Sequence, residues 1–572
     1  MTLDEILEAA VAHATSGRPH EAAESFARAI ELVPDWAVLH CNHGVALNEI
    51  GAIDDAAAAL RRSIVLDPNL EHGHYNLGVV QLRQGLLHDA LASFRTAVAL
   101  DPGHAEAHIN AGCVLWRLGE LTEAQAACER GMAINADIPE GHVILGNVRK
   151  DLGDVEGAIA HYRRASELRP EDVVARANLI FSLHYLEGTT TSEVGGETIR
   201  FAEAAASCRN PRAAASCRTP LSIGYVSANL RTHPGGFFLG AVLGAHDRRS
   251  FKITCYVDSS EEDEHSRRIR KCVDEWHSIA SLSDEALAAR IREDGIDILV
   301  DMNRFSGSCR LRAFALQPAP VQVSWMGGPI TTTGLTAIDY ILSDAIHTPP
   351  GHETSFVEQV IRLDNAYAVY QPPPYAPDVA PLPAPRNGHI TFGCFNYLAK
   401  IGPQVLRLWS AILDAVPGSR LLLQSKAFAH AAARERFNDP RITLHGGVSH
   451  RDLLALYGEI DIALDPFPYS GGITTCEALW MGVPVITMPG RHVSVRHSVS
   501  HLLNAGLPEL IADGPADYVT RAVRLASDVE QLAAMRTTLR QRVGGSNLCD
   551  APRFTRQLED AYRFMWRNRC ES

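Results

Sequence analysis

No stretch of about 18 apolar residues runs without a charge or a proline break, which argues against a helical membrane span. The twelve cysteines include no C-x-x-C pair, so neither a disulfide framework nor a zinc ribbon is indicated. An H-E-x-x-H, a P-loop and a G-x-G-x-x-G in strand-to-helix context are also absent. No cluster in the sequence has metal-ligand spacing, so no required metal or other cofactor is expected. Lysine is scarce: of 53 basic residues only Lys150, Lys252, Lys271, Lys400 and Lys426 are lysines. The net charge of -14 argues against sequence-blind nucleic-acid binding, which needs a basic surface. Residues 1–10 carry Asp4, Glu5 and Glu8, the wrong charge for a signal peptide. These absences point to a cytoplasmic protein with free thiols and neither membrane nor nucleic acid as partner. What is present is ordinary for a globular chain: 46% hydrophobic and 21% charged residues over 572 positions, long enough for three or four domains.

The charge is uneven. Residues 1–186 hold 26 acids and 14 bases, and the remainder holds 41 and 39. The acidic part has a period of 34. Pro34, Pro68, Pro102 and Pro170 keep the register, with Ala136 in the missing slot. Gly17, Gly51, Gly85, Gly119 and Gly153 form a second series, and Ala22, Ala56, Ala90, Ala124 and Ala158 a third. Four residues after each alanine come Phe26, Leu60, Phe94, Cys128 and Tyr162. This is the tetratricopeptide pattern of helix, turn, helix and proline joint. It predicts five repeats with a closing helix over 172–185, stacked into an α-solenoid with a concave face. Asn42, Asn76, Asn110 and Asn178 form another series, interrupted by Ile144. Mid-helix asparagine costs ~0.5 kcal/mol relative to alanine. Such a series serves either hydrogen bonding between neighbouring helices or a ladder that holds an extended peptide by its backbone. Residues 187–219, with Gly195-Gly196 and an Ala/Ser/Arg-rich stretch, read as an irregular connection.

From residue 220 short apolar runs alternate with helical stretches. Strands are predicted at 221–226, 253–257, 296–300, 321–325 and 338–342, then, past the proline-dense linker 371–385, at 390–394, 420–424, 442–444, 462–465 and 485–488. Helices are predicted at 284–293, 404–415, 450–458, 475–481 and 495–505, with a helical tail over 516–567. Alternation of this kind gives two α/β domains of parallel sheet, 220–385 and 386–572, with a cleft at the carboxyl ends of their strands.

The segment Ser470-Gly-Gly-Ile-Thr-Thr-Cys-Glu477 runs from a strand into a helix. Gly471, Gly472, Thr474 and Thr475 sit where free backbone N–H groups make an anion site suited to a diphosphate, with Glu477 reaching to ribose hydroxyls. Alternatively, Thr474 or Thr475 caps the helix and Glu477 complements its dipole. Lys400 follows a strand of the same domain, where it either neutralises a leaving phosphate or is an ordinary solvated lysine. Lys426 is a weaker candidate of the same kind. His233, before Pro234, stands after the first strand of the first domain. It is either a general base at the cleft edge or one loop histidine among 25. Asp301-Met-Asn303 and Trp325-Met-Gly-Gly-Pro329 also end strands and are expected to line the cleft.

At these residues the chain resembles the O-linked N-acetylglucosamine transferases of proteins and the related plant spindly proteins, over nearly its whole length. The pieces that carry the resemblance are Thr-His233-Pro, Phe-Ala-Leu-Gln-Pro-Ala-Pro-Val-Gln322, Cys-Phe-Asn-Tyr-Leu-Ala-Lys400-Ile, Ile-Thr-Thr-Cys-Glu477-Ala-Leu-Trp and Gly482-Val-Pro-Val-Ile-Thr-Met-Pro-Gly490. The resemblance implies a tetratricopeptide α-solenoid followed by a two-domain GT-B glycosyltransferase. It implies metal-independent, inverting transfer of N-acetylglucosamine from its uridine diphosphate donor to Ser/Thr hydroxyls of protein or peptide acceptors held along the array. His233 then matches the proposed general base and Lys400 the lysine on the donor diphosphate. Tyr397, Val448, Ser449, His450, Leu453, Gly472, Ile473, Thr474, Thr475 and Glu477 fall at donor-binding positions, and Asn42, Asn76, Asn110 and Asn178 at peptide-binding ones. The chain departs from the animal enzymes, which have His-Thr-Thr in place of Gly-Ile-Thr, aspartate at Glu477 and histidine at Leu453. Several of these segments look as much like spindly, whose members transfer fucose from a guanine nucleotide, while Thr-His-Pro leans toward N-acetylglucosamine. A repeat scaffold with a silent catalytic half is the remaining alternative.

Overall fold

The computed structural model describes residues 2–206, 212–213, 219–307, 309–364 and 366–571. The chain divides into two compact units, Met1–Arg149 with Glu167–Arg169, and Lys150–Ser166 with Pro170–Ser572.

The first unit holds four complete helix pairs: Leu3–Thr15 with Pro19–Leu32, Ala37–Glu49 with Ile53–Leu66, Glu71–Arg83 with Leu87–Leu100, and Ala105–Leu118 with Leu121–Ile134. Each helix packs on the next one in the chain. The alanines Ala22, Ala56, Ala90 and Ala124 are fully buried, which lets paired helices approach. The larger residue four positions on fills a groove over a glycine of the partner helix. A Cβ on Gly78 would come within 2.7 Å of the Phe94 ring, and one on Gly44 within 2.6 Å of Leu60. Gly17, Gly51, Gly85 and Gly119 take positive φ between the paired helices, a region L side chains avoid. A histidine series also appears. His40 donates from Nε2 to the Pro34 carbonyl (2.8 Å), His74 to that of Pro68 (2.9 Å) and His108 to that of Pro102 (3.2 Å). Each bond ties the start of a first helix to the joint before it. A histidine every 34 residues was the signal for it.

The second unit contains the helix Val155–Leu168 of the fifth repeat for most of its length, and the closing helix Val173–Leu183, capped by Asp172 on the amides of Val174 and Ala175. The irregular connection expected next is in part a regular helix, Thr191–Ala205, capped by Thr190. Gly195 and Gly196 lie within it. Burial of Val194, Thr198 and Phe201, the last edge-on to Phe305 at 5.0 Å, offsets the ~1 kcal/mol that each glycine costs a helix. Most of the Ala/Ser/Arg-rich stretch of that connection lies outside the described residues.

Two parallel sheets follow. The first has order β3-β2-β1-β4-β5-β6-β7, with β1 Leu221–Ser227, β2 Phe251–Val257, β3 Glu275–Ser278, β4 Ile298–Asp301, β5 Val321–Ser324, β6 Tyr340–Ser343 and β7 Gln359–Arg362. The second has order β10-β9-β8-β11-β12, with β8 Thr391–Cys394, β9 Arg420–Gln424, β10 Ile442–His445, β11 Ile462–Leu464 and β12 Val485–Ile486. The named strands pair in parallel throughout; for example, Tyr225 of β1 sits between Cys255 and Val300. In both sheets the chain starts in the middle and reverses direction beside the first strand, so a crevice opens at the carboxyl ends of β1 and β4, and of β8 and β11.

The tail spans both sheets. Pro515–Ala526 sets the Tyr518 hydroxyl on the Asp465 carbonyl (2.9 Å), and Val529–Gly544 buries Arg536, which donates to the carbonyls of Tyr457, Ile460 and Met481. The last helix, Ala551–Glu571, returns to the first sheet. Phe554 stacks on Trp325, Tyr562 meets the Tyr225 hydroxyl at 3.1 Å, and Glu559 accepts from His246 and from the Asp247 amide.

A methyl group at Gly78 has no room beside Phe94. Gly78→Ala is expected to destabilise the array by about 1–3 kcal/mol, read as a lower urea midpoint for the repeat transition. An unchanged midpoint contradicts the groove fit.

Candidate active site

A cavity of about 460 Å³, within the usual range for a small-molecule site, opens between the two sheets. One wall is the turn after β1 with His233 and the segments after β4 and β5 with Met302 and Met326. The opposite wall is the turn after β8 with Tyr397 and Lys400, and the helix start Gly472–Thr474. The closing helix of the repeat series and the residues after it supply a third wall through Phe181 and Tyr185, whose rings meet Tyr469 at 5.9 and 5.1 Å. Asp301 stands behind the cavity, where it accepts from the amides of Asn303 and Arg304 and shapes that turn.

Lys400 ends a 3-10 turn, Leu398–Lys400, and its Nζ donates to the Ser470 carbonyl at 2.8 Å. The ammonium lies 4.3 Å from the centre of the Tyr469 ring. Burial, partly offset by the Asp465 charge, lowers it from the usual lysine range to about 8. Beside it the helix Ile473–Trp480 begins, capped by Gly472 without a side-chain bond. Its first N–H groups lack intrahelical acceptors and carry the positive end of the dipole. The Gly471 amide is already held by Asp465 (2.7 Å), and the Thr474 hydroxyl donates to Asn396 Oδ1 (2.9 Å).

The helix starts two residues earlier than the sequence suggested, which changes two readings. Glu477 lies in the second turn and not the first, so it neither caps the dipole nor faces the anion site. Thr475 is buried, its hydroxyl 2.7 Å from Ser498 Oγ, and it does not line the cavity. Glu477 is 2% exposed and accepts from His450 Nε2 at 2.7 Å, while Tyr375 reaches His450 Nδ1 at 2.7 Å and Phe237 stacks on the ring at 5.0 Å. Ser449 caps the helix His450–Leu456, and Leu453 is half-buried on it. Val448, Ser449, His450, Leu453 and Glu477 therefore gather around one turn beside the cavity and are not in its wall. Lys426 starts a 3-10 turn away from it. Tyr397 is in the wall, its hydroxyl donating to Asp151.

His233 caps the helix Pro234–Ala245, and its Nδ1 accepts the Gly235 N–H at 3.2 Å. In the neutral ring this leaves the proton on Nε2. Burial first, then the Arg231 charge, lower this imidazole to about 4, so the ring is neutral at physiological pH.

Elsewhere, Asn76 donates to Cys41 Sγ (3.7 Å) and Asn110 to the Tyr75 hydroxyl (3.2 Å), each reaching the first helix of the preceding repeat. The inter-helix role is thus present at two positions of the series. Asn42 and Asn178 are half-buried on the equivalent helices. Among the described residues, the spacing in sequence hid one cluster of groups that could ligate a metal: Glu71, His72 and His104 bring their ligand atoms within 4.8 Å of one another at the start of two adjacent repeats.

A family model described as glycosyl transferase family 41 matches residues 202–371 and 382–558. Tetratricopeptide repeat models match 7–71, 75–137 and 139–172. A solved variant of the Thermobaculum terrenum O-GlcNAc transferase aligns with a TM-score of 0.73 and 35% identity, over 94% of this chain and 98% of that one. The Solanum lycopersicum protein named probable UDP-N-acetylglucosamine–peptide N-acetylglucosaminyltransferase SPINDLY is 41% identical over 61% of this chain and 39% of its own length. The Arabidopsis thaliana protein of the same name but designated SEC is 31% identical over 61% of this chain and 37% of its own. The chain thus spans about two fifths of the length of these curated relatives.

Lys400 carries its charge below about 8 and loses it above. The attraction of this ammonium for an anion, such as the phosphates of a nucleoside diphosphate, is therefore present at pH 7 and lost as the pH rises through that value. Calorimetry at pH 7 and pH 9.5 is expected to show weaker binding at the higher pH, and Lys400→Met to remove most of that difference. An identical pH dependence in the variant contradicts the assignment.

Proposed function

The chain belongs to glycosyl transferase family 41, and from that premise we propose that it transfers N-acetylglucosamine from its uridine diphosphate donor to Ser/Thr hydroxyls of proteins. The observation that carries this reading is the meeting of His233 from one sheet with Lys400 and the helix start Gly472–Thr474 from the other, in one cavity. The donor diphosphate lies against the helix start and the Lys400 ammonium. An acceptor hydroxyl attacks the anomeric carbon from the opposite face, and the configuration inverts. As the bond to the diphosphate breaks, negative charge grows on the departing oxygen, where Lys400 and the Ile473 and Thr474 amides stabilise it. No step in this scheme calls on a metal.

His233 faces the acceptor. Its Nδ1 is committed to the Gly235 amide, so the neutral ring positions the hydroxyl oxygen by donation from Nε2. As the hydroxyl attacks, the ring gives up that cap bond and carries its own proton on Nδ1, so that Nε2 takes the proton the hydroxyl loses while the departing diphosphate keeps the electron pair of the broken bond. The acceptor is a protein segment, and the acidic repeat array, with its asparagine series, is the surface proposed to hold it. The names of the relatives support the N-acetylglucosamine donor. A guanosine-diphosphate fucose donor is the second reading: the resemblance of several segments to the spindly proteins implies it, and the identity of 41% to the protein designated SPINDLY, against 31% to that designated SEC, agrees with that resemblance.

Calorimetry with the uridine and guanosine donors is expected to show tighter binding of the uridine sugar. Preference for the guanosine sugar replaces the first reading by the second, and binding of neither contradicts both. Lys400→Ala is expected to fold and to lose about 10²-fold or more in turnover. Parent-level turnover in the folded variant contradicts the leaving-group role.

A further inference from the structure

Behind the cavity wall lies a group of titratable side chains that the transfer scheme does not use. Asp344, at the carboxyl end of β6, accepts from His347 Nδ1 at 2.9 Å, from the His347 amide and from the Ser500 hydroxyl. His347 Nε2 lies 3.1 Å from His497 Nδ1. His497 is the first residue of the helix His497–Asn504 and is 4% exposed. It lines the cavity, whereas His347 does not. Its remaining ring nitrogen, Nε2, is buried and has no hydrogen-bond partner. A buried polar atom left without a partner costs free energy unless a ligand supplies one.

The direction of this chain of bonds is set by its acid end. A carboxylate only accepts, so His347 carries its proton on Nδ1. With both rings neutral, His347 Nε2 then accepts from His497 Nδ1–H, which leaves a lone pair on His497 Nε2. Burial above all, with the Lys400 and Arg304 charges adding to it, keeps the His497 imidazole well below its ordinary value and hence uncharged. The same carboxylate is held below the usual range, because His347 and the hydrogen bonds it accepts outweigh its burial. The place of this lone pair is also fixed. Tyr469 touches both partners, with Lys400 over its ring at 4.3 Å and the His497 ring centre 5.5 Å from its own. A group seated on His497 is therefore next to whatever the Lys400 ammonium holds.

We propose that His497 Nε2 accepts a hydrogen bond from a hydroxyl of the donor sugar, which makes His497 a specificity-determining residue fixed by the Asp344–His347 pair. This rests on the proposed use of a nucleotide sugar, the diphosphate being the group at Lys400. Sugar hydroxyls are the donors that the neighbouring diphosphate lacks, so the contact adds affinity for the whole nucleotide sugar and none for the nucleoside diphosphate alone.

The test is calorimetry of the full chain with uridine diphosphate, guanosine diphosphate and the two corresponding sugars. His497→Ala is expected to weaken binding of the preferred nucleotide sugar about tenfold, the size of one lost hydrogen bond to a buried partner. Its affinity for the diphosphate alone stays within about twofold, which also reports that the site is folded. His497→Gln, whose amide oxygen restores an acceptor, is expected to bind the sugar form more tightly than His497→Leu. Equal sugar binding by parent and His497→Ala overturns the proposal, as does an equal loss for sugar and diphosphate in all three variants. Failure of the parent to bind any of the four ligands overturns the transferase reading itself, an outcome separate from these.

Discussion

A half-buried ammonium that no described carboxylate pairs with is the constraint on which this site turns. Lys400 is pressed onto the face of Tyr469 and donates to a neutral carbonyl, that of Ser470. Asp465, the acid whose charge acts on it, is committed to the Gly471 amide and the Thr487 hydroxyl. The cation is therefore desolvated but incompletely neutralised, and its charge is displaced downward as a result. An anion entering the cavity relieves that strain. The helix that starts at Ile473 adds its own partial charge at the same place, so two electropositive elements converge in the cavity, an arrangement suited to an anion.

The fold exists to hold these groups from different sheets within one cavity. β8 and its turn deliver Lys400, β11 and its turn deliver the helix start, and β1 delivers His233 from the other sheet. The relation between the two sheets is fixed by the tail. Tyr518 reaches the Asp465 carbonyl on one side, and Glu559, Tyr562 and Phe554 pin the last helix to the first sheet on the other. The closing helix of the repeats then adds Phe181, with Tyr185 just beyond it, over Tyr469, so the third wall comes from the repeat series itself.

Much of this was legible in the sequence, and what was not has physical reasons. The 34-residue register marked the helix pairs because alanine, glycine and the groove-filling residue each answer to a separate steric demand. All five strands of the second sheet stood out as short apolar runs. β3 and β7 did not, since edge strands such as Glu-Trp-His-Ser and Gln-Val-Ile-Arg are half-exposed and carry polar residues. Gly195-Gly196 read as a break because propensity is local, whereas the packing of Phe201 against Phe305 is not. The start of the helix Ile473–Trp480 was misplaced by two residues, which was enough to put Glu477 on the wrong turn. His497 could not be found at all: its partner His347 lies 150 residues away, and nothing in its own neighbourhood marks it.

The scarcity of lysine makes the central claim directly measurable. With five lysines in the chain, isotope-labelled ammonium and side-chain methylene signals can be followed by NMR through a pH titration and assigned by Lys400→Arg. Lys400 is expected to titrate at about 8 without ligand and to move upward by more than one unit when a nucleoside diphosphate is bound. A Lys400 that titrates near the ordinary ~10.4 and stays there with the diphosphate present would contradict it.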